Sequence, residues 1–430
     1  MTSEGTLSKG ERQEHIRFPL LRHLAVQRFR SLYDIQLNLK PLNIFIGPNA
    51  SGKSNLFKLL HFVRNVVIED KWGLYDEMAD HLFWYGKNDT EKQRRRFTVD
   101  MQIELPEQLG DNVPEYRMVA QLVSGKFGLS EEHLNLRMAL AQQPVEFIAR
   151  HNEEVRHYVE RANGDRVSET TRLPMRVAAL REYGRAATFP PVSALYRFIE
   201  GWRFLDVDVH AARQSAVTGR KPDRVPPLSR DAGNLSAFLQ AVYASDPDGF
   251  EEIEDRLGRA IGFPEDVRPK HQPSLTGGPG HATITFRERA FPDRSIPPDS
   301  MSDGTIRLLA QLAALLGDPT ATLICIEEPD QGLHPYLMLR LADAIRSVVD
   351  VEPDDDFEET RRPQIILTTH SPDFLDCFDP ETESDYLQVF VAERALDDGK
   401  TEFEPVNGGE LRHWLEEYRL GELVRMGVVR

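Results

Sequence analysis

Residues 42–55 read Leu42-Asn43-Ile44-Phe45-Ile46-Gly47-Pro48-Asn49-Ala50-Ser51-Gly52-Lys53-Ser54-Asn55. Residues 47–54 of this stretch spell G-x-x-x-x-G-K-S, and the apolar run before them predicts a buried strand. The run Leu56-Phe57-Lys58-Leu59-Leu60 after them predicts a helix. Strand, glycine-rich turn and helix are the context a phosphate-binding P-loop requires. The glycines let the backbone curl so that successive N–H groups point inward as an anion nest. The helix adds its positive N-terminal end. Lys53 then reaches the β- and γ-phosphates, and the Ser54 hydroxyl is the predicted Mg²⁺ ligand. The stretch predicts a site for a nucleoside triphosphate.

The rest of the chain bounds what such a site serves. At 430 residues there is room for two or three domains, or for one domain with a large insertion. No apolar run reaches the length of a membrane span. Residues 1–18 are polar and read as a frayed tail without the apolar core of a signal peptide. A cytoplasmic protein with no membrane partner is expected. Of two cysteines, Cys325 falls in an apolar strand pattern and Cys377 beside Phe374, Leu375 and Phe378. Both read as buried thiols, and no CxxC pair suggests zinc. The net charge of −17 repels nucleic acid at long range, so any DNA contact needs a local basic patch. Candidates are Lys92-Gln93-Arg94-Arg95-Arg96 and the set Arg213, Arg220, Lys221 and Arg224; both also read as solvated loop charge. The acidic run 352–359 reads as an exposed loop insertion.

Three short strands are expected within residues 22–46, followed by alternating strands at 97–105 and 116–122 and a further hairpin within 147–160. Together they predict an antiparallel sheet beside the nucleotide strand. Residues 175–262 turn helical, with amphipathic runs at 235–243 and 250–261. Residues 263–299 are rich in Pro and Gly apart from a strand-like run at 282–286. No sustained heptads and no internal repeat occur. The last third alternates: helix 305–316, strand 322–326, helix 335–349, strand 364–368. Continuous β-rich apolar runs of this kind suit a parallel sheet covered on both faces.

The remaining chemistry-bearing residues cluster at the ends of these predicted strands. Glu327 and Glu328 follow the strand ending at Ile326, at the carboxyl edge where doubly wound folds bind ligands. A P-loop enzyme needs one acidic group for the Mg²⁺ shell and another to position or deprotonate the attacking water. Adjacent strand residues point opposite ways, which would divide those tasks between the two. The bland alternative is an exposed acidic turn. His370, in Thr369-His370-Ser371-Pro372 after the next strand, could hydrogen-bond a γ-phosphate oxygen or the water, or simply be a solvated turn histidine. Ser302 or Asp303 is the expected N-cap of the helix at 305–316, with Gly304 keeping the backbone open. That helix end doubles as a second anion site. Two such sites suit two molecules facing each other.

Taken in order, these stretches resemble the ATP-binding-cassette ATPases of the SMC/RecF branch, the group often labelled AAA family. The matching stretches are Phe29-Arg30-Ser31-Leu32, the P-loop from Phe45 to Asn55, the signature-like Met301-Ser302-Asp303-Gly304-Thr305-Ile306-Arg307, the extended Walker B from Ile326 to Pro335, and the switch Thr368-Thr369-His370-Ser371-Pro372. The closing segment 411–423 is also similar to stand-alone members. The resemblance implies an α/β, SMC-type ATPase head: a mostly parallel P-loop sheet flanked by helices, an N-terminal antiparallel sheet and a helical insertion. It implies a head-to-tail homodimer sandwiching two Mg-ATP. Gly47, Pro48, Asn49, Ala50, Ser51, Gly52, Lys53, Ser54 and Asn55 would bind nucleotide, with Arg30 and Ser31 nearby. Ser54 and Glu327 would serve Mg²⁺, Glu328 would be the general base and His370 the γ-phosphate sensor. Ser302, Asp303 and Gly304 would contact the nucleotide in trans.

Departures are specific. Glu327 stands where Asp is commoner, and Asp303 replaces the first signature glycine. Residues 70–95 offer only Gln93 for a Q-loop. No coiled-coil arm separates Ser54 from Ser302, and no room follows His370 for the Toprim nuclease domain of OLD-type relatives. The expected divisions are a tail (1–18), an N-terminal lobe with P-loop and antiparallel sheet (19–165), a helical insertion (166–298) and a C-terminal lobe with signature, Walker B and switch (299–430). The expected function is an ATPase switch acting on a separate effector, such as a Toprim-like nuclease in phage defence. The alternatives are a RecF-like DNA-binding repair ATPase and a non-hydrolysing ATP-dependent scaffold.

Overall fold

The structure is a computed structural model. It describes residues 19–84, 95–105, 113–137, 144–160, 166–186, 189–218, 225–262, 266–272, 280–288, 291–349, 363–406 and 419–426. The chain opens with β1 (Leu20–Phe29), β2 (Leu32–Asn38) and β3 (Leu42–Ile46), then α1 (Lys53–Arg64) and a short α2 (Gly73–Asp76). An antiparallel run follows: β4 (Arg96–Glu104), β5 (Val113–Val123), β6 (Lys126–Arg137), β7 (Val145–His151), β8 (Glu154–Glu160) and β9 (Arg166–Arg172). Next come α3 (Ala179–Gly184), α4 (Pro190–Glu200), β10 (Trp202–Leu205), α5 (Val209–Ala212) and β11 (Ala216–Thr218). They lead to α6 (Leu235–Ser245), α7 (Pro247–Ile261), β12 (Asp266–Gln272), β13 (Gly280–Glu288) and β14 (Phe291–Ile296). The last part holds α8 (Asp303–Leu316), β15 (Leu323–Glu327), α9 (Pro335–Val349), β16 (Gln364–Thr369), α10 (Pro372–Leu375), β17 (Leu387–Arg394), β18 (Thr401–Pro405) and α11 (Leu420–Arg425).

The strands form an antiparallel sheet in the order β2-β1-β4-β5-β6-β7-β8-β9, a P-loop sheet in the order β10-β15-β16-β3-β17-β18, and a smaller third sheet in which β13 pairs with β11, β12 and β14. In the second, every pairing is parallel except β17 with β18. Its strands alternate between two cores, as pleating requires. Phe45, Cys325 and Ile366 face the core shared with α1 and the antiparallel sheet. Ile44, Ile46, Ile324, Ile326 and Leu367 face the core built on α6 to α9. Burial on both faces explains the continuous apolar runs. It also puts the carboxyl ends of β10, β15, β16 and β3 side by side.

As expected, the antiparallel strands make a sheet of their own, layered over the nucleotide sheet across α1. One feature departs from expectation. The stretch 166–298 is helical only in part, since it also carries β9 to β14, one of which, β10, joins the P-loop sheet next to β15. β9 is a polar edge strand, β10 has four residues, and β12 includes Pro269. None of these carries a readable hydrophobic period. Cys325 is buried and Cys377 half-buried; both are free thiols. No helix among the described residues is long and apolar enough to cross a membrane.

Candidate functional site

The loop after β3 turns through left-handed backbone at Ala50 (φ 66°) and Gly52 (φ 105°) before α1 begins at Lys53. Gly52 has no room for a side chain, because a Cβ there would collide with the hydroxyl of Thr401. Lys53 is buried and folds back over its own loop, donating to the carbonyls of Gly47 (2.6 Å) and Pro48 (2.9 Å) and to Ser51 Oγ (3.4 Å). Burial lowers its pKa, opposed by the carboxylates of Glu328 and Asp330. Glu328 and Asp330 are therefore both near the lysine.

Ser54 donates its hydroxyl proton to the Glu327 carboxylate, so the two expected metal ligands meet. Glu327 also receives Arg230 Nη2 at 2.8 Å, and the same nitrogen lies 3.1 Å from Asp206 Oδ2. Burial raises the Glu327 pKa, with Arg230 opposing it and Asp206 adding to it. Hard oxygen donors at a spot that already holds a cation are a donor set that fits Mg²⁺. Asp206 follows β10, the neighbour of β15, which explains the juxtaposition. Sequence reasoning missed both Asp206 and Arg230. A four-residue strand gave no signal, and no local pattern joins residue 230 to residue 327.

Glu328 leaves the strand at φ 44°, a left-handed conformation unusual for a residue with a side chain. Its N–H donates to the Thr368 carbonyl. Its Oε1 lies 3.6 Å from His370 Nδ1, so the proposed base and sensor are neighbours. The turn that carries His370 is held from beneath. Buried Asp330 accepts from Thr369 Oγ1 (2.7 Å), which in turn accepts the Ser371 N–H (2.9 Å). Burial pushes the Asp330 carboxyl up in pKa.

Ser302 is the N-cap of α8, its Oγ accepting the Thr305 N–H. Asp303 pairs with Arg213 at 2.7 Å, and Arg213 also donates to the carbonyls of Pro298 and Met301. Gly304 packs against Gly332 and Leu337. None of the bonds of Ser302 or Asp303 reaches the P-loop among the described residues. Arg30 stands in left-handed backbone (φ 52°), its Nε buried without a partner and its pKa lowered by burial. Ser31 Oγ accepts from Asn55 Nδ2 at 2.7 Å, so Ser31 touches the segment that follows the loop.

Of the two basic stretches, only Arg95, Arg96 and Arg213 fall within the described residues. Arg213 is engaged at the signature turn and Arg96 pairs with Glu131. Lys92, Gln93, Arg94, Arg220, Lys221 and Arg224 lie outside the described residues, as do the acidic run 352–359 and residues 411–418. Residues 420–423 open α11, which packs on α10 through Arg425 with Asp373 and Asp376.

Two family models match in succession. One, described as "AAA ATPase domain", covers residues 20–154; another, "AAA domain, putative AbiEii toxin, Type IV TA system", covers residues 179–376. The chain is 20% identical over 362 residues to the OLD nuclease of Thermus scotoductus, matching 83% of this chain and 60% of that protein. A 44-residue segment is 48% identical to the DNA replication and repair protein RecF of Lactobacillus acidophilus, 10% of this chain and 12% of that one. The chain thus spans less than two thirds of either curated relative. Among solved structures, an SMC head bound to the C-winged helix domain of ScpA superposes with a TM-score of 0.50 at 13% identity. That match covers 91% of this chain and 99% of the other.

Proposed function

We propose that this chain, with its two AAA-type family matches and its SMC-head-like fold, binds ATP with Mg²⁺, hydrolyses it, and works as a dimeric switch on a separate protein. The observation that carries this reading is the meeting of Ser54 with Glu327, and of Glu328 with His370, on one edge of the sheet. Lys53 leaves the Gly47 and Pro48 carbonyls for the β- and γ-phosphates, while the loop N–H groups and the start of α1 take the remaining phosphate oxygens. Bound through Ser54 and Glu327, Mg²⁺ would neutralise charge building on the β- and γ-phosphates. Glu328 accepts a proton from water as its oxygen attacks the γ-phosphorus, and the bond to the ADP oxygen breaks. His370 holds a γ-phosphate oxygen. Ser302 and the N–H of Gly304 from a second copy close over the same phosphate, using the α8 N-terminus.

The OLD relationship supports a nuclease-type effector, and we extend it to a separately supplied Toprim-like nuclease in phage defence. The RecF segment favours a second reading, a DNA-stimulated repair ATPase. Steady-state ATP hydrolysis with and without duplex DNA, at moderate salt, separates the two, with Lys53→Ala as the blank. Turnover indifferent to DNA is expected, whereas strong stimulation would favour the repair factor. Glu328→Gln should keep ATP binding while losing turnover by roughly 10²–10⁴-fold, the usual worth of a general base. A Glu328→Gln variant as fast as wild type overturns the base assignment, and unchanged ATP affinity in Lys53→Ala overturns the P-loop reading.

A further inference from the structure

The underside of the P-loop is closed by residues from the two ends of the chain. Thr401 opens β18, in the hairpin that β17 makes beside the P-loop strand. Its Oγ1 lies 2.9 Å from the Ser51 carbonyl and 2.6 Å from Ser31 Oγ, and its N–H donates to the Ser31 carbonyl. Ser31 Oγ takes the Asn55 amide at 2.7 Å.

Donor and acceptor counting leaves one arrangement. A carbonyl only accepts, so Thr401 gives its hydroxyl proton to Ser51. Asn55 Nδ2 only donates, so Ser31 spends its own proton on Thr401. The chain Asn55→Ser31→Thr401→Ser51 therefore starts on α1, passes beneath the loop and ends on a loop carbonyl. Thr401 and Ser51 are both almost fully buried, leaving little access for water to replace the bond. The Thr401 hydroxyl also occupies the space where a Gly52 side chain would sit.

We propose that Thr401 is a positioning residue of the nucleotide site: its hydroxyl holds the Ser51 carbonyl down and keeps the neighbouring loop N–H groups aimed at phosphate. The inference rests on the ATP reading above. A loop released at Ser51 must be reshaped each time a phosphate binds, so the loss falls on affinity. Once ATP is bound the shape is restored, and Glu328 and His370 work as before.

The test compares Thr401→Ala with Thr401→Ser in the full chain. It measures ATP and ADP affinity by calorimetry, KM and kcat for hydrolysis, and thermal unfolding. Thr401→Ala is expected to weaken both nucleotides about tenfold and raise KM in step, with kcat within about twofold, since leaving a buried acceptor unpaired is felt at this scale. Thr401→Ser keeps the hydroxyl and should restore wild-type affinity. Wild-type affinity in Thr401→Ala overturns the proposal, and so does a Thr401→Ser variant as weak as Thr401→Ala. If Thr401→Ala fails to fold, Thr401→Val carries the same comparison. A wild-type chain that binds no ATP, matching Lys53→Ala, refutes the nucleotide reading instead.

Discussion

Glu328 is held at φ 44° between Glu327, bonded to Ser54, and the turn that Asp330 and Thr369 brace. A left-handed residue with a side chain costs about 1–3 kcal/mol, and such strain gathers at functional positions. Here it turns the carboxylate away from the strand line and beside His370. Glycine would relieve the strain but gives back about 0.4–1 kcal/mol through its freedom in the unfolded chain. Glu328→Gly is therefore expected to stabilise the fold by about 1 kcal/mol while abolishing turnover, whereas Glu328→Gln keeps the strain. Urea unfolding of the two variants decides it, and a clear loss of stability in Glu328→Gly would refute the idea that the position is strained. The residues legible in the sequence were those whose neighbours in sequence are also their neighbours in space, such as Gly47 to Asn55 and Glu327 with Glu328. Thr401 meets Ser31 across 370 positions and Arg230 meets Glu327 across 97, so no local pattern could announce them.

Among elements, the strands buried on both faces were the readable ones, since β3, β15 and β16 consist almost wholly of buried residues. Half-exposed strands such as β2 and β4 were also legible, through alternation, whereas β9, which is polar, and β10, which has four residues, show no period. The antiparallel sheet also contains an element-level lock that composition hides. Glu132 and Arg150 have fully buried side chains 3.3 Å apart, on neighbouring strands β6 and β7. Glu132 also accepts the N–H groups of Ala179 (2.7 Å) and Leu180 (2.8 Å) and the Tyr116 hydroxyl (2.9 Å). The carboxylate thus satisfies the open N-terminus of α3 and pins it to the sheet. Glu132→Gln leaves the guanidinium buried without its counter-charge and should destabilise the protein by about 3–5 kcal/mol. The double variant Glu132→Leu/Arg150→Met should lose less than Glu132→Gln, because no lone charge remains. Chemical denaturation measures both, and a Glu132→Gln cost below about 1 kcal/mol would mean water reaches the pair.

At the scale of the whole molecule, the proposed function makes the P-loop and the signature turn two separate anion sites on one chain. Lys53 is tied to its own loop and Ser302 to the first turn of α8, with Asp303 locked by Arg213. An anion site that finds no nucleotide within its own chain can complete one on a second copy. In the proposed dimer, two copies related by a twofold axis would make two composite sites, each with the P-loop of one and the signature of the other. This arrangement predicts complementation. Lys53→Ala lacks a working P-loop but offers an intact Ser302; Ser302→Arg lacks the signature but keeps Lys53. Each alone should be nearly inactive. Mixed in equal amounts, half of randomly formed dimers are mixed and each has one complete site of two, so about a quarter of wild-type hydrolysis should return. Specific activity of the wild type should likewise rise with protein concentration until dimers saturate. A mixture no more active than its parts, together with turnover independent of concentration, would mean that the site closes within a single chain and that Ser302 and Gly304 serve only to cap α8.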